Sequence, residues 1–138
     1  MIKIGLIDDF SGDMLERIAG FYIQAGWIGK DDDTSFLLPA LKGSTLVAGA
    51  FDENGRIVGS ARVLSDGCSD AYIQDVVVDS AFRGQGIGSE LIKVLTDALL
   101  EKGVDWIGLV GEPGTEDFYR KQNWVARPGY TLWQMKKR

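Results

Sequence analysis

The stretch Ala71–Leu100, AYIQDVVVDSAFRGQGIGSELIKVLTDALL, decides how this chain folds. Its first part carries Ile73, Val76, Val77 and Val78, β-branched residues that suit a buried strand. Gly84, Gly86 and Gly88 follow where that strand must give way to helix. From Ile87 the apolar residues recur at Leu91, Leu95 and Leu99, with Ile92, Val94 and Ala98 widening the stripe, which predicts a helix of about four turns. A strand, a side-chain-free turn and a helix N-terminus together form an anion site. First-turn N–H groups lack intrahelical acceptors, the helix end is partially positive, and glycine lets a phosphate approach the main chain. The stretch therefore predicts a phosphorylated ligand.

Spacing narrows the ligand. A dinucleotide site requires G-x-G-x-x-G, but Ser89 stands at the third glycine position counted from Gly84, and Leu91 at that counted from Gly86. A P-loop requires Gly-Lys-Ser/Thr closing the turn, and that tripeptide does not occur. The pattern present is R-x-x-G-x-G, Arg83-Gly84-Gln85-Gly86-Ile87-Gly88, after a V-x-V strand. It resembles motif A of the GNAT acyl-CoA N-acyltransferases. Downstream, Phe118-Tyr119-Arg120-Lys121-Gln122-Asn123-Trp124 resembles the family's F-Y-x-K-x-G-F segment, with Asn123 for the usual glycine and Trp124 for the usual phenylalanine. Asn tolerates the left-handed conformation that ends a helix, so the first exchange is mild. Glu112 stands where many relatives carry a CoA-contacting asparagine, and Pro113-Gly114 is similar to a branch with Pro-Gly there. Gly59–Gly67, GSARVLSDG, is similar to the same branch. The resemblance runs from Thr45 to Trp124; the segment before it is merely compatible.

Composition bounds the rest. A chain of 138 residues with 45% apolar content suits one globular domain, residues 1–138, with a real core. No apolar run approaches the ~20 residues of a membrane span, and MIKIGLIDDF lacks a signal-peptide pattern, so a cytoplasmic protein without membrane contact is expected. One cysteine, Cys68, excludes a disulfide framework and a thiolate zinc cluster; it is expected to be inert. The absence of histidine removes the commonest metal ligand and general base, so no metal is expected. A net charge of −5 disfavours nucleic acid and favours cationic acceptors such as amines.

Along the chain, Ile2–Ile7 predicts a short strand, and Asp9 or Ser11 a cap for a helix turning Met14, Leu15, Ile18, Phe21 and Tyr22 inward and ending near Gly26. Asp31-Asp32-Asp33-Thr34 precedes a helix with Phe36, Leu37 and Leu41, shortened by Pro39. Thr45–Phe51 and Arg56–Leu64 predict strands joined around Glu53-Asn54-Gly55. Ser65-Asp66-Gly67 turns into the Ala71–Val78 strand; Val104–Val110 is a further strand, Thr115–Gln122 a short helix, and Trp124–Met135 the last strand or pair. The order β-α-α-β-β-β-α-β-α-β is an α+β layout and also the GNAT order. The resemblance implies a mixed, mostly antiparallel sheet of about six to seven strands flanked by about four helices.

For function, the resemblance implies an acetyl-CoA-dependent N-acetyltransferase in which a primary amine of a small molecule or peptide attacks the thioester directly. Arg83, Gly84, Gln85, Gly86, Ile87, Gly88 and Ser89 would cradle the pyrophosphate, and Val76, Val77 and Val78, splayed by a bulge, would pair with the pantetheine arm and offer an N–H to the thioester oxygen. Glu112 and Tyr119 would also contact the cofactor. Tyr119 is the candidate acid for the leaving thiolate; by residue type alone it reads as a packed aromatic, as Phe118 does. Asp75, an ionisable group in a central strand, is either the general base or a structural carboxylate bonded to Arg62 or to backbone. Glu112 and Asp66 are lesser candidates, and an amine arriving neutral needs no base. The four tryptophans read as core or interface, with Trp27 placed by the resemblance near the acceptor pocket. The competing function is an acyl-CoA-binding regulator without turnover. Family habit and the aromatic run Tyr130-Thr131-Leu132-Trp133 allow a homodimer.

Overall fold

The structure is a computed structural model describing residues 1–137. It contains β1 (Lys3–Leu6), α1 (Met14–Gln24), α2 (Leu37–Lys42), β2 (Leu46–Phe51), β3 (Ile57–Ser65), β4 (Asp70–Val78), α3 (Ile87–Glu101), β5 (Trp106–Leu109) and α4 (Glu116–Arg120), with a 3-10 turn at Ser80–Phe82. The five strands lie in the order β1-β2-β3-β4-β5, and β1 to β4 are antiparallel neighbours. The α+β class is as expected, and the sheet has one or two strands fewer. The chain forms two compact units, Met1–Gly108 and Leu109–Arg138. Among the described residues no helix is long and apolar enough to cross a membrane.

Where the sequence pattern was strong, the elements form as read. In α3 the residues Ile87, Leu91, Ile92, Leu95 and Leu99 are buried, the stripe that a 3.6-residue period demands. The β2–β3 hairpin closes through Asp52, whose carboxylate accepts from the N–H groups of Asn54 and Arg56 while Gly55 takes φ 76°. Helix α1 ends at Gly26 in the left-handed conformation, with the Trp27 N–H donating to the Tyr22 carbonyl. Its start differs. Asp13 occupies the cap position without a side-chain bond, and Asp9 instead accepts from the Ser11 hydroxyl. In α2, Pro39 lies in the first turn, where its missing N–H costs nothing, and the helix is six residues long. Phe36 stands at the cap position just before the helix and is exposed.

Trp124–Met135 does not form the strand or pair expected of it. Pro128 lacks an N–H and Gly129 takes φ 87°, which cuts the β-forming residues to the run from Tyr130. That run is exposed, Trp133 at 88%, and Tyr130 is covered only on one side by the Arg127 guanidinium 5.3 Å from its ring.

In the first unit, α1 and α2 cover one face of the sheet, packing Ile18, Phe21, Tyr22, Leu37 and Leu41 on Val47, Ile57 and Val77. Helix α3 covers the other face, above Gly59. A Cβ at Gly59 would lie 3.1 Å from the Val77 carbonyl oxygen, 3.3 Å from Leu91 and 3.4 Å from Ile87. Glycine is what lets the first turns of α3 settle against β3 and β4.

Candidate active site

Strand β4 is interrupted in mid-course. Ser60 pairs with Val77, but Arg62 pairs with Gln74, so Asp75 and Val76 together oppose Ala61 alone. This is a β-bulge, with Asp75 in the left-handed conformation at φ 56°. A bulge takes main-chain groups out of the ladder while the side chains still pack: Val77 is buried, and Val76 and Val78 are half-buried. Of the two roles open to Asp75, the structural partner is present. The Arg62 Nε donates to its Oδ2 at 2.8 Å, and the Tyr22 hydroxyl to the same atom at 3.4 Å. Burial first, and the Asp75 charge second, push the Tyr22 phenol well above its ordinary pKa.

Past Val78 the chain is tied down by Asp79, which no motif singled out. Its N–H donates to the Val58 carbonyl, and its carboxylate accepts from the Ala81 N–H and from Gln24 Nε2, with Arg17 3.8 Å away. Gln24 also accepts from the Ser80 N–H. Gln24 and Arg17 lie on α1, more than fifty residues earlier in the chain, so only the fold reveals them.

The glycine turn follows. Arg83 is exposed and donates Nε to the Val78 carbonyl at 3.2 Å, committing one of its five N–H donors. Gly84 takes φ 81°, and Gly86 caps α3 at φ 79°, both unfavourable for side-chain-bearing residues. A Cβ at either position would meet no heavy atom within 4 Å. The first α3 amide to find an acceptor inside the helix is that of Glu90, on the Gly86 carbonyl. The amides of Ile87, Gly88 and Ser89 precede it, and no side chain caps them. Gln85 is exposed beside them.

In the second unit, Glu112-Pro113-Gly114-Thr115 forms a tight turn, with the Thr115 N–H on the Glu112 carbonyl and Gly114 at φ 86°. Helix α4 carries Tyr119, half-buried, its ring edge-on to Phe118 at 5.0 Å and to Trp124 at 6.3 Å. Desolvation raises the Tyr119 phenol above its ordinary pKa, and the Glu112 charge raises it further. Asn123 ends this helix at φ 67°, with the Trp124 N–H on the Tyr119 carbonyl and the Asn123 N–H on that of Arg120. That is the left-handed cap expected of an asparagine in the glycine position.

The sequence profile of the Acetyltransferase (GNAT) family matches residues 11–124. The chain belongs to this family. An N-acetyltransferase of Prochlorococcus marinus (ycf52-like) is 33% identical over 64% of this chain and 51% of its own length. A histone acetyltransferase of Glycine max, TAP1, is 36% identical over 68% of this chain and 45% of its own. The chain thus spans about half the length of the curated relatives it matches. Among solved structures, a probable acetyltransferase of Staphylococcus aureus superposes with a TM-score of 0.81 at 19% identity, covering 99% of this chain and 100% of the other.

Acetyl-CoA is the cosubstrate that GNAT membership implies, and the first unit's donors suit its pyrophosphate. The amides of Ile87, Gly88 and Ser89 have no side-chain cap, and a Cβ at Gly84 or Gly86 would stand in open space. Asp66, a lesser base candidate, is spent on its turn: its carboxylate accepts from the Cys68 and Ser69 N–H groups and the Ser69 hydroxyl, which hold it far below the usual carboxylate range.

Proposed function

We propose that this GNAT protein transfers an acetyl group from acetyl-CoA to a primary amine by direct attack in a ternary complex. The observation that carries the reading is the sequence of three features in one stretch of chain: the β4 bulge, the left-handed glycine turn and the uncapped start of α3. Bound acetyl-CoA supplies an activated thioester. The amides of Gly86, Ile87, Gly88 and Ser89, with Arg83 and Gln85 beside them, bind the pyrophosphate as charge-assisted donors. Val76 and Val78 align the pantetheine arm through main-chain bonds, and a bulge N–H at Val76 or Val77 stabilises the charge that develops on the thioester oxygen, an effect of ~3 kcal/mol per donor.

The new C–N bond forms as the C–S bond breaks. Tyr119 gives its proton to the departing thiolate, and its raised pKa keeps that proton in place throughout the neutral range. The ammonium proton of the incoming amine leaves to solvent before attack, since Asp75 is already engaged by Arg62 and Tyr22, and the second proton, shed by the nitrogen as the amide forms, restores the Tyr119 phenol.

Calorimetry of the purified protein with acetyl-CoA, set against desulfo-CoA and NAD, tests the binding step. Thiol release across a panel of primary amines tests the transfer. Micromolar acetyl-CoA affinity with amine-dependent thiol release is expected, and Tyr119→Phe should lower kcat about a hundredfold with little change in acetyl-CoA affinity. Binding without thiol release from any amine would favour the regulator, and no binding at millimolar acetyl-CoA would defeat both readings.

A further inference from the structure

The β4 bulge is held by groups distant in sequence. Asp75 is one of only two non-glycine residues with positive φ among the described residues, and it lies in a strand, where nothing local stabilises that conformation. Its Oδ2 receives both the Arg62 Nε and the Tyr22 hydroxyl. Arg62 is fixed in turn: it stands opposite Val47 in β2 and Gln74 in β4, and its Nη1 donates to the Ser44 hydroxyl at 3.4 Å, which donates to the Ala40 carbonyl at 2.8 Å. The Arg62 side chain is 18% exposed and that of Asp75 30%. Tyr22 is 4% exposed, its ring tilted against Trp27 at 5.2 Å. The carboxylate is thus gripped from the neighbouring strand and from α1, while α2 steadies the arginine.

We propose that Arg62 and Tyr22 are positioning residues that lock Asp75 in the left-handed conformation, and so hold the bulge in the register that presents the Val76 and Val77 main chain to the thioester. The proposal rests on the acetyl-transfer reading above for its function, but the lock itself is a property of the ligand-free protein. Without the grip, an L-residue at this position relaxes toward extended backbone, and β4 pairs straight through with β3. The role differs from that of a base. A base needs a carboxylate that accepts protons, whereas a lock needs only a left-handed residue, which glycine supplies unaided.

That difference sets the experiment. Arg62→Met is compared with the double variant Arg62→Met/Asp75→Gly by steady-state kinetics, melting, and amide resonances of Gln74–Val77 without ligand. The lock predicts that Arg62→Met lowers kcat about tenfold, changes the acetyl-CoA KM little, and displaces those resonances. Adding Asp75→Gly should recover most of the lost kcat and return the Val76 and Val77 resonances toward those of the native chain. A double variant slower than Arg62→Met, with loss of the acidic limb of the pH–rate profile, would make Asp75 a base and overturn the proposal. A fall in melting temperature with unmoved kcat and resonances would make the ion pair merely stabilising, and overturn it equally. The resonances decide for the lock even if the native protein proves unable to bind acetyl-CoA, a failure that would fall on the transferase reading alone.

Discussion

Gly86→Ala separates the two demands made on the glycine turn, because the structure gives each its own cost. Gly86 has φ 79°, so alanine there adopts a conformation that costs about 1 kcal/mol, and no steric term is added because its Cβ would meet nothing within 4 Å. For a chain of 138 residues that lowers the melting temperature by about 4 °C. The binding cost is separate. On the acetyl-transfer reading a phosphate oxygen takes the space beside Gly86 to reach the α3 amides, and a methyl group there denies it at least one charge-assisted hydrogen bond. Such a bond contributes ~1.5–3 kcal/mol, so the acetyl-CoA Kd should rise about tenfold to a hundredfold. Gly55→Ala is the control. Gly55 has φ 76°, its Cβ also meets nothing, and it sits in the β2–β3 hairpin. Calorimetric titration and scanning calorimetry on both variants should give similar losses of melting temperature, with weakened acetyl-CoA binding in Gly86→Ala alone. Equal acetyl-CoA affinities in the two variants would refute the assignment of this turn to the pyrophosphate.

Gly59→Ala should destabilise the fold by about 1–3 kcal/mol, because the 3.1 Å neighbour of its Cβ is the Val77 carbonyl oxygen and cannot rotate away; an unchanged melting temperature would show that α3 does not rest as closely on the sheet as described. Tyr22 makes stability depend on alkaline pH. Its folded pKa is raised, so the unfolded chain loses that proton first, and the stabilisation present below pH about 10 declines as pH rises beyond it. Chemical denaturation between neutral pH and pH about 11 should show that decline, and Tyr22→Phe should flatten it; an identical slope in the variant would place the origin elsewhere.

Local signals were readable where neighbours in sequence decide the conformation. The α3 stripe repeats at helical spacing, the Asp52–Gly55 turn bonds within itself, and Asn123 tolerates a left-handed φ by its own chemistry. What the sequence concealed depends on partners far along the chain. The Arg62–Asp75 pair was one of two alternatives the sequence offered, but nothing local pointed to Tyr22 reaching Asp75 from fifty-three residues away or Gln24 reaching Asp79 from fifty-five. Gly59 is one more strand residue by sequence, and only α3 lying over it accounts for its missing side chain. At the first helix, three polar residues, Asp9, Ser11 and Asp13, compete for one cap position, and the hydroxyl–carboxylate bond between the first two removes them from the contest. The Trp124–Met135 reading failed for a related reason. β propensity is a preference for a pleated, half-buried surface, and Tyr130, Leu132 and Trp133 have no such surface under them.

Of the first unit's left-handed residues three, Asp75, Gly84 and Gly86, fall between the middle of β4 and the start of α3. Two are glycines, which take that conformation at little cost, and both lie in the exposed turn. The third is not a glycine and sits inside the sheet, where a glycine would hold the left-handed conformation without partners but with wider motion about it. An aspartate gripped by Arg62 and Tyr22 has one conformation compatible with its bonds. The pattern is what a site requires when its turn must admit a bulky ligand while its strand must present main-chain groups in a fixed register. Freedom from side chains serves the turn; a charge held from two directions serves the strand. If both were equally tolerant of glycine, Asp75→Gly alone would leave the bulge resonances as sharp as in the native chain. The greater backbone freedom of glycine leads us to expect them broadened, and sharpened again when acetyl-CoA binds.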